Sequence, residues 1–226
     1  MRRAGPLEGA ILTLALVACA APPAVSLAPL DCPTAAPTAA EATTILADAE
    51  LAVVTSSKGS FTIELDAASA PIATANFVAL ARCDFYAGIT FHRVISGFVV
   101  QAGDPGTRTD RAPFQGLGSG GPGYQFEVEF PNADQPYERY TVAMANAMQY
   151  DPVSGEISGG TDTNGSQFFI DLAALPQLRA YYSVIGKVTE GTDVVDAIGA
   201  VAVNNPDQGV PVEPVIIESI EVKTSS

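Results

Sequence analysis

Basic side chains are scarce in this sequence: 11 Lys and Arg stand against 25 Asp and Glu, for a formal net charge of -14. A surface with that balance does not displace counterions from phosphates, which excludes nucleic acid as a partner. One histidine and three cysteines, with no C-x-x-C pair, offer no recognisable zinc set, so no metal is expected. No Gly-x-Ser-x-Gly elbow occurs, which removes the usual setting for a serine nucleophile. No apolar run reaches the roughly 20 residues that a membrane-spanning helix requires. Self-similarity at a period of roughly 20 to 50 residues is also missing, which sets aside propellers and solenoids.

What is present divides the chain into three parts. Arg2 and Arg3 precede an apolar run from Ala10 to Ala18, the pattern of an export signal. Leu16-Val17-Ala18-Cys19 resembles a bacterial lipobox, which implies removal of residues 1–18 and lipidation of Cys19; an ordinary cleaved signal is the alternative. An Ala/Pro/Thr-rich stretch over residues 19–47 reads as a disordered tether, because it has too little to bury to offset ordering entropy. Residues 48–226, with 47% hydrophobic composition in the whole chain, are enough for one domain. The expected location is extracytoplasmic, anchored to the cell membrane by the lipid on Cys19. In that oxidising setting Cys32 and Cys83 either pair or remain separate thiols.

The domain opens with two alternating runs, Leu51–Thr55 and Phe61–Leu65, around Ser57-Lys58-Gly59-Ser60, which predicts a hairpin. Ser69 as cap and an early Pro71 introduce a helix ending near Cys83. Strand-like runs follow at Ile89–Ile95, Phe98–Gln101, Phe126–Phe130, Tyr140–Ala145, Gln167–Leu172 and Ser183–Val188. A second helix is expected over Thr192–Ile198 and a last strand over Val215–Val222. Short strands joined by Gly/Pro-rich turns, with two helices, predict a mainly β, antiparallel barrel or sandwich.

His92 invites a general-base reading, with Asp84 or Asp104 to orient it. Strand alternation turns it away from Arg93, however, and a packed structural role is the better reading. Gly116-Leu117-Gly118-Ser119-Gly120-Gly121-Pro122-Gly123 looks like a phosphate loop but lacks the Gly-Lys-Ser/Thr ending and a following helix. Asn164-Gly165-Ser166 matches a glycosylation acceptor and reads better as a tight turn.

Phe91-His92-Arg93-Val94-Ile95-Ser96-Gly97-Phe98-Val99-Val100-Gln101-Ala102-Gly103-Asp104 resembles the signature segment of the cyclophilins. Gly118 to Tyr124, Met144-Ala145-Asn146-Ala147, Thr163 to Ile170 and Gly186-Lys187-Val188 follow in the family's order, so that the resemblance covers Leu51 to Val222. It implies a closed eight-stranded antiparallel β-barrel capped by two helices, and a peptidyl-prolyl cis-trans isomerase. By position, Arg93, Phe98 and Gln101 would be catalytic, and Val99, Ala145, Asn146, Gln167, Phe169, Leu178 and Tyr182 would bind substrate. Val99, Gln177 and Tyr182 stand where the best-known eukaryotic members have Met, Trp and His, which bears on inhibitor binding and peptide preference. Residues 148–162 exceed the family's short loop by about a dozen residues.

The implied partner is a proline-containing polypeptide outside the cytoplasm, handled by a monomer with no cofactor. A catalytically weak proline-binding module or envelope chaperone is the alternative; a surface lipoprotein whose barrel only supports the long loop is a third. Arg93, Phe98, Gln101 and Phe169 occurring together favour the enzyme, since a scaffold does not need that set.

Overall fold

The computed structural model describes residues 1, 31–110, 117–132, 137–151 and 153–224; the signal, lipobox and Cys19 lie outside them. The hairpin forms as expected. In β1 (Leu51–Ser56) Ala52, Val54 and Ser56 alternate inward, and β2 (Gly59–Leu65) pairs with it in register from Leu51 opposite Glu64 to Ser56 opposite Gly59. Ser56 Oγ donates to Gly59 O at 2.8 Å and accepts from Lys58 N at 3.2 Å, which fixes the turn between them.

Six more strands complete the main sheet: β3 (Arg93–Ile95), β4 (Val99–Ala102), β5 (Thr141–Met144), β8 (Phe168–Asp171), β9 (Val184–Glu190) and β10 (Ile217–Lys223). The order β10-β1-β2-β9-β5-β8-β4-β3 is antiparallel throughout and forms a half-barrel. Between its ends the coil before β3 meets the entry to β10: Gly88 N donates to Ile217 O at 2.8 Å, Ile217 N to Ile89 O at 2.8 Å, and Phe91 N to Val215 O at 2.9 Å. Inside, Phe168 is ringed edge-on by Phe77, Tyr86 and Phe91 at 5.5, 5.7 and 6.4 Å. Ile63, Leu80, Val100, Ile170 and Ile185 pack around them.

The described residues hold three α-helices where two were expected. The additional one is α1 (Ala39–Ile45), inside the stretch read as a disordered tether. Thr38 and Glu41 form a capping box at its start: Glu41 N donates to Thr38 Oγ1 at 3.3 Å and Thr38 N to Glu41 Oε2 at 2.8 Å. Arg82 holds its far end, donating to Ile45 O at 3.0 Å and pairing with Asp48 at 2.6 Å. Cys32 and Cys83 form a disulfide with Cα atoms 5.2 Å apart. From residue 31 the tether is therefore part of the domain; composition hid this because the cap and both anchors are single residues.

In α2 (Pro71–Arg82) Ser69 does not cap: Ala70 is the cap residue and Ser69 bonds Asp66 instead. The free N–H groups of Ile72 and Ala73 are taken by the carboxylate of Glu129, at 3.1 and 2.8 Å, from far along the chain. That explains why the expected strand Phe126–Phe130 is absent. Glu129 N goes to Ser183 Oγ at 2.8 Å and its side chain to the helix, which leaves only an isolated bridge between Phe126 and Asn164. The helix α3 (Thr192–Gly199) buries Val195 and Ile198 as expected, with Val194 half-buried. A small hairpin, β6 (Gln149–Tyr150) with β7 (Ile157–Gly159), occupies the long loop.

Candidate active site

The sheet register gathers the expected site residues. Arg93 in β3 lies opposite Gln101 in β4, Gln101 opposite Phe169 in β8, and Phe169 opposite Ala143 in β5, so one rung carries all four side chains on the face away from the core. Residues far apart in sequence become neighbours because register, once set by inward-facing hydrophobes, also sets the outer face. Arg93 lies 5.8 Å from the Phe98 ring centroid, and its Nη1 is 3.5 Å from Gln101 Oε1. Gln101 Nε2 donates to Gln167 Oε1 at 2.9 Å, and Gln167 Nε2 to Gly120 O at 2.8 Å. Both amides are thereby oriented, and the guanidinium keeps donors for a ligand.

Beside this polar row lies an apolar cluster. Val99, Tyr137, Ala143, Phe169, Leu175 and Val184 are its buried members, and Phe98, Ala145, Leu178 and Tyr182 pack against them half-exposed. Phe169 meets Tyr182 edge-on at 5.2 Å. Tyr137 holds Tyr182 in place, its hydroxyl donating to Tyr182 O at 3.0 Å and accepting from Tyr182 N at 3.1 Å. Burial pushes the Tyr182 hydroxyl up from its ordinary range, with Tyr150 adding to the rise and the Arg93 charge opposing it. Asn146 Nδ2 donates to Tyr181 O at 2.8 Å. A groove of about 370 Å³ continues past Gln101, Gly120, Ala145, Asn146 and Gln167.

All ten residues expected at the site come together. Tyr137, Ala143, Leu175 and Val184 were not singled out; strand alternation from Phe169 pointed to Ala143, whereas Tyr137 lies in a loop with no periodic signal. Asp171 also faces this side of β8. Its carboxyl is fully buried, neither oxygen has a hydrogen-bond partner among the described residues, and burial pushes its pKa up to about 8.

His92 is 5% exposed, and neither ring nitrogen has a hydrogen-bond partner among the described residues. Burial pulls its pKa below the usual histidine range, which suits a neutral, packed ring. Asp104 is committed elsewhere: it accepts from Gly106 N at 2.7 Å, Gly118 N at 2.7 Å and Gly120 N at 3.2 Å. The glycine-rich loop thus spends amides on a carboxylate of its own chain and holds Gly120 O against Gln167. Only glycine fits at 120, where a Cβ would lie 2.0 Å from Asp104 Oδ1. Gly103, at φ 96°, takes a left-handed turn that brings Asp104 back beneath the loop.

Among known proteins, the chain is similar to a peptidyl-prolyl cis-trans isomerase of Helicobacter pylori, 39% identical over 155 residues that cover 68% of this chain and 82% of the relative. Peptidyl-prolyl cis-trans isomerase A of Mycobacterium tuberculosis is 37% identical over 188 residues, covering 76% and 91%. Among solved structures, a cyclophilin type peptidyl-prolyl cis-trans isomerase of Cryptosporidium parvum, in the presence of the dipeptide Ala-Pro, superposes with a TM-score of 0.64 at 30% identity, covering 78% of this chain and 99% of that one. Residues 51–222 match the family described as cyclophilin type peptidyl-prolyl cis-trans isomerase/CLD, so the chain that carries this Arg-Gln-Phe rung belongs to the cyclophilin-type isomerases.

Proposed function

We propose that Arg93 drives cis-trans rotation about X–Pro bonds in exported polypeptides while the apolar cluster holds the proline ring. An amide resists rotation by about 18–20 kcal/mol because its nitrogen donates into the carbonyl. In the twisted state the prolyl nitrogen regains its lone pair, and a donor aimed at it is favoured there over the planar ground state. Arg93 suits this step because its charge is permanent and its donors are rigidly placed. Phe98, Val99, Phe169, Leu178 and Tyr182 enclose the ring, whose burial contributes on the order of 2 kcal/mol. Gln101 and Gln167, locked to Gly120 O, with Ala145 and Asn146, hold the peptide on either side of the turning bond. No covalent bond breaks, so the rotation calls for no cofactor.

The observation that carries this reading is the rung Arg93–Gln101–Phe169, which sets a cation, a peptide-binding amide and an apolar ring side by side. Arg93→Ala should lower kcat/KM on an Ala-Pro tetrapeptide, followed by exchange NMR, by at least about tenfold with the unfolding midpoint unchanged. Retained turnover in that variant would remove Arg93 from the mechanism.

The same reading makes the chain an extracytoplasmic monomer, cleaved after Ala18 and anchored by lipid on Cys19, and takes the bonds between residues 88–91 and 215–217 as closing the half-barrel. The Cys32–Cys83 disulfide supports the location, since such bonds persist in oxidising compartments. Mass spectrometry of membrane fractions should find a diacylglyceryl-type adduct on Cys19. A soluble product with free Cys19 would reject the anchor.

A further inference from the structure

The long excursion between Ala147 and Thr163 has no role in the chemistry just described, yet it is a built element. Its hairpin places Tyr150 directly opposite Ile157, so these two share a face. Tyr150 meets Tyr181 edge-on at 5.2 Å, and Tyr181 Oη donates to Gly155 O at 2.6 Å. Arg179 lies so close to Gly155 that a Cβ there would be 1.9 Å from Nη1. Asp151 closes the tip by accepting from Val153 N at 2.9 Å and Ser154 N at 2.6 Å, and Ala147 N donates to Thr163 Oγ1 at 2.8 Å at the base.

Although it is held this firmly, the hairpin leaves apolar surface in water. Tyr150 is 40% exposed, Ile157 37% and Val153 90%; these are three of the seven large hydrophobic residues that the described part of the chain exposes. Tyr150 and Ile157 pair across the hairpin and Val153 lies near its tip, so one short element carries all three. The hairpin meets Arg179 and Tyr181, whose chain neighbours Leu178 and Tyr182 belong to the apolar cluster beside Arg93. The groove beside Gln101 is lined at this end by Ala147 and Thr163, the two residues bonded at the base of the hairpin. The hairpin therefore rises from the wall of the groove.

We propose that the β6–β7 hairpin is an accessory substrate subsite, which takes large apolar side chains of an extended polypeptide near the isomerised proline. It rests on the reading of the Arg93 groove as the isomerase site. Tyr150 and Ile157 form its wall and Val153 its outer end. The chain would then favour prolines set among hydrophobic residues, the segments that an unfolded client exposes.

The test uses the full chain and two fluorescent peptides of equal length, each with one central Ala-Pro, flanked in one by Phe and Leu and in the other by Ser. Anisotropy should show the apolar peptide bound about tenfold more tightly, and Val153→Asp/Ile157→Asp should remove most of that advantage. Equal affinity for the two peptides, or an advantage that survives the double substitution, overturns the proposal. A benzophenone on the apolar flank gives a readout that needs no variant: cross-links should map to residues 149–157, and cross-links confined to other segments overturn it. If the hairpin-dependent preference appears while exchange NMR shows neither peptide isomerised, the subsite stands and the isomerase reading falls. Arg93→Ala should instead lower turnover of both peptides by the same factor.

Discussion

The two faces of β8 carry different chemistry. Phe168 and Ile170 point inward, are fully buried, and belong to the apolar and aromatic cluster inside the sheet. Phe169 and Asp171, one residue along in each case, point outward into a layer that mixes an apolar cluster with amides, a guanidinium and an acid that has no hydrogen-bond partner among the described residues. The inner face is satisfied and the outer face is not. Strand period allows both, because a ladder anchored by one face presents the other at fixed spacing whatever residues occupy it. Stability is therefore concentrated inside and chemistry outside, on the same strand.

Phe168→Ala gives the largest effect expected from that contrast. It should cost about 3–5 kcal/mol in denaturant unfolding while kcat/KM per folded molecule stays within a few-fold. Phe169→Ala should do the reverse, with a smaller stability loss and a drop in kcat/KM of about tenfold or more. Similar stability losses with similar residual activities would erase the distinction between the faces.

Asp171 sharpens the comparison through pH. In the unfolded chain its carboxyl ionises near the usual 3.8, but in the folded chain only near 8. The folded state therefore holds the proton more tightly, and this group's contribution to stability falls as pH rises through that window. Asp171→Asn, which cannot ionise, should leave stability near pH 4 almost unaltered and raise it by about 2 kcal/mol or more at pH 8. Parallel stability–pH curves for the two proteins from pH 4 to 8 would show that the carboxyl is solvated or paired.

The smallest effect is expected where the two layers are linked. Glu129 ties the loop beside Ser183 to the start of α2. Glu129→Ala should cost about 1–2 kcal/mol, the usual range for a lost helix cap, with little change in turnover. A loss below about 0.5 kcal/mol would mean that water replaces the carboxylate at no cost.

Period and local chemistry by themselves determined the hairpin at Leu51–Leu65, the helices near 71–82 and 192–199, most of the strands, and the resemblance that named the ten site residues. Those features are local: alternation, turn residues and short ordered blocks are written in neighbouring positions. The helix cap from Glu129 lies more than 50 residues from Ile72, and no local pattern announces it. Cys32 was too distant from Cys83 for pairing to be more than an open alternative, and α1 owes its place to that bond and to Arg82. The apolar cluster beside Arg93 needed the tertiary structure before Tyr137, Ala143, Leu175 and Val184 could be seen to share it with Phe169. Only tertiary structure decided these, because a hydrogen bond or an apolar contact depends on distance in space, and sequence separation constrains that distance weakly once the chain has turned back on itself.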